Sequence, residues 1–308
     1  WKEIRRIENQ IRDDILDKTQ IVCCTCIGSG NQILDGRRFP QVLIDEATQA
    51  TEPASLVPLI RGARQVVLVG DHKQLPPTVL SFRAEEKGLR RSLFERLVDL
   101  GIEPLLLTKQ YRMHPAISKF PNQQFYSNKL IDGVSAENRP APAGLLWPDW
   151  DKPVAFIPVD GGEVVSPDGT SRENPIEVSW VLKITEDLLD AGELTKKDIG
   201  IITPYAGQVR AIRNSMSEEL DDVEVRTVDG YQGREKEVII FSCVRSNPEQ
   251  NVGFLAEPRR LNVALTRAKR GLIVIGDPST LRSDKNWQAW LEYIRDSKFE
   301  AWHLLGMT

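Results

Sequence analysis

Two short runs of one design limit what this chain can fold into. Val42-Leu43-Ile44 ends on Asp45-Glu46, and Val66-Val67-Leu68-Val69 ends on Gly70-Asp71; between them Glu52 to Arg61, with Pro53 near its start, is suited to a helix. Continuous apolar runs of this length fit strands buried on both faces, and a helical crossover joins such strands in parallel. The pair therefore predicts a βαβ unit.

The same rhythm extends in both directions. Ile4, Ile7, Ile11 and Ile15 recur at helical spacing among charges and predict an amphipathic helix over residues 1–17. Ile21 to Cys26 reads as a strand closing on Gly28-Ser29-Gly30, a loop that suits either backbone amides approaching a phosphate or a plain turn. Residues 92–100 read as a helix and Leu105-Leu106-Leu107 as a strand. The proline-dense stretch 138–153 predicts a connecting excursion. Beyond it, Asn174-Pro175 with Glu177 marks a helix start, and Ile176, Trp180, Ile184 and Leu188 form the expected apolar face. Strand 199–202, a helix carrying Val209, Ile212, Met216 and Leu220, and strands 238–244 and 272–275 on either side of a helical stretch 259–270 follow. Trp287, Trp290, Leu291 and Ile294 close the chain on a docked helix. The fold class is α/β, with two doubly wound halves meeting near Thr108.

At 308 residues the chain is long enough for two domains, each with its own core. Hydrophobic residues at 41% and charged residues at 27% exclude a disordered chain. The net charge of -4 gives no global basic field, so a nucleic-acid surface has to be local; Arg259, Arg260, Arg267, Lys269 and Arg270 are a basic concentration, or simply a solvated helix face. Three of the four cysteines crowd into Cys23-Cys24-Thr25-Cys26 without a second cluster to complete a zinc site, and are expected as small buried apolar residues in a reduced compartment. Neither a membrane-spanning run nor a signal peptide is evident.

Chemistry concentrates where strands end. At the carboxyl edge of a parallel strand one acid of Asp45-Glu46 can carry Mg²⁺ while the next orients an attacking water, or the pair caps a strand or a helix start. The loops 70–77, 110–115 and 231–236, with the cations of 259–270, add an amide and arginines of the kind a triphosphate cleft needs.

In these same loops DEATQ, GDHKQLPP, QYRMHP, TVDGYQGREKEVII and RRLNVALTRAK follow one another in the order and spacing of the superfamily 1 helicases. The chain resembles the group typified by the up-frameshift helicase of nonsense-mediated mRNA decay, over nearly its whole length; LPPTVLS and ISKFP look more like the senataxin-type relatives. The resemblance implies two RecA-like doubly wound parallel-sheet domains of the P-loop NTPase type, the first one incomplete. Residues 1–20 would be a helix ending an inserted helical subdomain, 21–108 the rest of the first RecA-like domain, and 109–308 the second. It implies ATP and Mg²⁺ as cofactors, with Asp45 on the metal, Glu46 on the water and Gln74 on the γ-phosphate. Arg112 and Arg267 would be arginine fingers reaching in from the second half, and Glu235 would take the nucleotide ribose. Thr25, Gly28, Pro76, Thr203 and Thr227 would lie near the backbone of single-stranded RNA or DNA.

One element of that family is missing. No G-x-x-x-x-G-K-[ST] loop occurs in residues 1–308, and the family places it before the point where this chain starts. Together with the opening on Trp1, this leads to the expectation of a chain truncated at its amino end, the alternative being a degenerate paralogue. The intact protein is expected to be an ATP hydrolase and helicase, monomeric, cytoplasmic or nuclear, open to regulatory protein partners and without a membrane association. The fragment alone is expected to be inactive, and the alternative is a non-catalytic module binding nucleic acid or protein.

Overall fold

A computed structural model describes residues 1–305 as two compact units. The first comprises Trp1–His72 and Pro76–Pro104, the second Lys73–Leu75 and Leu105–Thr308.

The first unit runs α1 (Lys2–Lys18), β1 (Gln41–Ile44), α2 (Glu52–Leu59), β2 (Gln65–Leu68), α3 (Phe82–Glu86) and α4 (Leu93–Asp99). β1 and β2 pair in parallel, Val42 opposite Val66 and Ile44 opposite Leu68, with α2 as the crossover. Pro53 sits in the first turn of α2, where its missing N–H costs no helical bond.

The second unit runs β3 (Lys109–Gln110), α5 (Pro115–Phe125), β4 (Ile131–Asp132), β5 (Val154–Pro158), β6 (Val164–Val165), β7 (Arg172–Glu173), α6 (Pro175–Asp190), β8 (Ile199–Thr203), α7 (Ala206–Ser215), β9 (Glu224–Thr227), β10 (Lys236–Ser242), α8 (Pro258–Leu265), β11 (Ala268–Gly276), α9 (Pro278–Leu281) and α10 (Lys285–Ser297). Five strands form an all-parallel sheet in the order β5-β11-β10-β8-β9. Strand alternation divides the core. Ile239 and Phe241 point to the side packed by Phe120, Leu261, Trp287 and Trp290, while Val238 and Ile240 point to the side packed by Val181, Ile184, Leu188 and Ile212. Trp287 is fully buried, stacks on Phe241 and donates its indole N–H to the Leu255 carbonyl. Gly200, mid-β8, leaves room for the buried Tyr231 hydroxyl, which a Cβ at that position would strike.

Several sequence expectations need correction. Ile21–Cys26 and Leu105–Leu107 form no strand, because neither finds a ladder partner among the described residues. Cys23 and Cys24 are consequently exposed, Cys26 partly so, and only Cys243 is buried. α1 forms, yet Ile4, Ile7, Ile11 and Ile15 are about half exposed. The helix expected over 259–270 ends at Leu265; from Ala268 the chain pairs with β10, so Lys269 and Arg270 are strand residues. α7 ends before Leu220.

Asn174 caps α6, accepting from the amides of Ile176 and Glu177, but the buried face of that helix is turned. It runs through Glu177, Val181, Ile184 and Leu188, leaving Ile176 exposed and Trp180 partly exposed. Glu177 sets the turn: its carboxyl group accepts from the Val244 amide at 2.9 Å and the Ser242 hydroxyl at 2.6 Å. Burial, with Asp277 nearby, outweighs those bonds and pushes its pKa up to about 8. Val244 itself has φ +73 and closes a three-residue turn, Arg245 N–H to the Cys243 carbonyl. Among the described residues no helix is long and apolar enough to cross a membrane.

Candidate functional site

In the first unit the acids stand where the sequence puts them, at the end of β1. Asp45 and Glu46 are both exposed. Asp45 Oδ1 accepts from the Glu46 amide at 3.0 Å, and Glu46 Oε2 accepts from Gln49 Nε2 at 2.7 Å. Glu46 adopts the left-handed conformation, φ 51 and ψ 38, which a residue with a long side chain rarely takes. The next residue explains how it is held there: the Ala47 amide donates to the Val69 carbonyl at 2.7 Å, binding the turn to the end of β2. Gly70 completes the fit, since a Cβ there would come within 3.0 Å of the Thr48 amide. Nothing in the residue type announces the left-handed glutamate.

In the same unit Gly28 N–H donates to Thr25 Oγ1 at 2.9 Å, and Gly28 to Gly30 forms one turn of 3₁₀ helix. A Cβ at Gly28 would lie 2.8 Å from that hydroxyl, so a side chain there would displace the Thr25 hydroxyl from the turn. Pro76 is partly buried.

In the second unit four predicted residues come together around the end of α8. Arg267 is 2% exposed; its guanidinium donates to the Val263 carbonyl at 3.0 Å, Thr266 Oγ1 at 2.9 Å and Gln74 Oε1 at 3.2 Å. Arg112 donates to the neighbouring Thr266 carbonyl at 3.1 Å and to Glu235 Oε2 at 2.5 Å. Lys269 reaches the other oxygen of Glu235 at 3.2 Å. Burial raises the Glu235 pKa, but the Arg112 and Lys269 pairs win and hold the carboxyl below its ordinary value. The basic stretch is thus not a solvated helix face: Arg260 pairs with Asp229, Lys269 with Glu235 and Glu237, and Arg270 with Glu193.

Thr203 and Thr227 are register partners at the carboxyl ends of β8 and β9. Thr203 is fully buried, with a hydroxyl that has no partner among the described residues, so its side chain is not presented to the surface, whereas Thr227 is partly exposed and accepts from the Gly230 amide at 3.2 Å. Sequence reasoning passed over Asn262, fully buried on α8, whose Nδ2 donates to the Lys73 carbonyl and the Tyr126 hydroxyl, each at 2.9 Å.

A parallel, doubly wound sheet whose carboxyl-side loops and following helices carry clustered arginines and acids defines a P-loop NTPase domain of the RecA-like kind. Two AAA domain families match the chain, one over residues 1–82 and the other over residues 89–279. The chain is 44% identical over 304 residues to the regulator of nonsense transcripts 1 homolog of Drosophila melanogaster, covering 96% of this chain and 26% of that protein. It is 45% identical over 303 residues to the ATP-dependent helicase NAM7 of Saccharomyces cerevisiae, covering 96% of this chain and 31% of that one. The chain belongs to the AAA-domain superfamily 1 helicases of the up-frameshift group, and spans about a quarter to a third of the length of these relatives. Among solved structures, the PRRSV helicase aligns over 82% of this chain and 38% of its own, at 16% identity and a TM-score of 0.42.

Proposed function

We propose that this chain is part of an ATP-driven helicase that moves on single-stranded nucleic acid, RNA in the first instance. The observation that carries the reading is the gathering of Gln74, Arg112, Glu235 and Arg267 around the end of α8 in the second unit. Two planar guanidinium groups, an amide and an acid so close together suit the terminal phosphates and the ribose of a nucleoside triphosphate. In this reading residues 21–108 and 109–308 are two RecA-like domains, and residues 1–20 end an inserted helical subdomain.

The first unit fits a magnesium ion. Asp45 is exposed at a strand end, and among the described residues only its Oδ1 takes a hydrogen bond. Mg²⁺ asks a protein for only one or two carboxylates and takes its remaining ligands from phosphate oxygens and water. The ion would supply charge neutralisation at the phosphates when bound. Glu46, held by Gln49 and its left-handed backbone, would orient and deprotonate the attacking water. In the second unit Arg267, locked by Val263, Thr266 and Gln74, presents its charge without further ordering, and Gln74 can donate to one phosphate oxygen while accepting from Arg267. Glu235 would exchange its Arg112 pair for ribose hydroxyls, freeing Arg112 for phosphate.

Thr25, Gly28, Pro76 and Thr227 are offered for contacts to the nucleic-acid backbone, with Thr203 contributing through its main chain. Relatives named for nonsense transcripts support an RNA substrate. Replacing Glu46→Gln in the intact protein is expected to leave nucleotide binding in place and abolish nucleic-acid-stimulated ATP turnover. Undiminished turnover would remove Glu46 from the mechanism.

A further inference from the structure

The loop after β2 divides its loyalty. Residues up to His72 and from Pro76 onward belong to the first unit, but Lys73–Leu75 belong to the second. Leu75 is 2% exposed in a core it shares with Met113, Ile117 and Phe120. Gln74 meets Arg267, and the Lys73 carbonyl accepts from Asn262 Nδ2.

Asn262 holds this arrangement from both of its ends. Its side chain takes the Lys73 carbonyl, one residue from Gln74. Its main-chain carbonyl accepts from the Thr266 hydroxyl at 2.7 Å, and that hydroxyl accepts from Arg267 Nη2 at 2.9 Å. Arg267 Nη2 in turn donates to Gln74 Oε1, so a closed ring runs Asn262, Lys73, Gln74, Arg267, Thr266 and back. The amide orientation is determined, because a carbonyl only accepts and a flipped Asn262 would set two oxygens face to face. Its own Oδ1 is then left buried without a partner among the described residues, an unfavourable state that helix formation alone gives no reason for.

We propose that Asn262 is a positioning residue, which by gripping the Lys73 carbonyl sets the Gln74 amide against the Arg267 guanidinium so that the two act on a terminal phosphate as one group. The inference rests on the reading of Gln74 and Arg267 given above. It requires the second unit's α8 to fix both members of the pair, one through a side chain and the other through the main chain.

The experiment is a double-mutant cycle in the intact protein, with nucleic-acid-stimulated ATP turnover as the readout. Gln74→Ala and Asn262→Ala are each expected to lower kcat by about tenfold or more with a smaller change in KM for ATP, and the double variant to be no slower than Gln74→Ala alone. A residue with a merely structural role would give effects that multiply, and that result overturns the proposal. So does normal turnover in Asn262→Ala when Gln74→Ala is slow. Normal turnover in Gln74→Ala instead brings down the role of Gln74 and the inference with it. Should Asn262→Ala fail to fold, Tyr126→Phe, which removes the other partner of the Asn262 amide, is expected to slow turnover about threefold with the same lack of additivity; multiplying effects there overturn the proposal equally.

Discussion

The two units build the same kind of strand into opposite surroundings. In the second, every residue of β5 and β8 is buried, and helices cover both faces of the sheet. In the first, β1 and β2 keep perfect parallel register while Leu43 is 65% and Val67 52% exposed. Main-chain pairing fixes register; burial of side chains comes only from what packs on the faces. The functional groups follow the same division, with exposed acids at the end of β1 and a buried arginine beside α8.

The largest expected effect is on Arg267. Its guanidinium is held in place before any ligand arrives, so Arg267→Ala in the intact protein should cost roughly 10³-fold or more in single-turnover ATP hydrolysis. A loss of only a few-fold would mean that the buried arginine merely supports structure, and the functional side of the contrast would go. Next comes Trp287→Ala, expected to destabilise the second unit by about 3–5 kcal/mol in denaturant unfolding.

Glu177 gives an intermediate effect with a definite sign. Its carboxyl is pushed from 4.5 to about 8 by burial, so between those values the native state keeps a proton that the unfolded chain releases. The stabilisation is complete below about pH 4.5 and is lost as the pH rises through about 8. Stability of the second unit should fall by on the order of 2 kcal/mol between mildly acidic and mildly alkaline solution, and Glu177→Gln should flatten that slope. A slope unchanged by the substitution would assign it to another group. The smallest effect belongs to Leu43→Ala in this 308-residue chain, expected within about 0.5 kcal/mol at a site so open to water. If Leu43→Ala cost as much as Trp287→Ala, the contrast between the two units would disappear.

What could be read from the sequence was whatever local pattern determines. The β1-α2-β2 unit, the Asn174 cap and the α10 docking helix all follow from apolar period and end signals within a few residues. The failures depend on distant partners. Ile21–Cys26 and Leu105–Leu107 have strand composition but no ladder to join. Lys269 and Arg270 have helix-compatible neighbours but are taken by β10. The face of α6 is set by Glu177 reaching Ser242 and Val244, some 65 residues away. The candidate site divides likewise: residue types at Asp45, Glu46, Gln74, Arg112, Glu235 and Arg267 announced themselves through motifs. The attachment of Lys73–Leu75 to the second unit, and Asn262 as its anchor, had no sequence signal.

Gly200 and Tyr231 carry a consequence for how this molecule can vary. The phenol hydroxyl fills the space that a side chain at position 200 would need, and burial pushes its pKa up. Neither residue is then free to change alone: an alanine at 200 evicts the ring, and a smaller residue at 231 leaves a hole under β8. A mutational library should show the two positions as one locus, with single changes at Gly200 purged and recovered only alongside a smaller partner at 231. Because Tyr231 opens the loop that leads to Glu235, inheritance at the middle of a buried strand and at the rim of the candidate site is coupled.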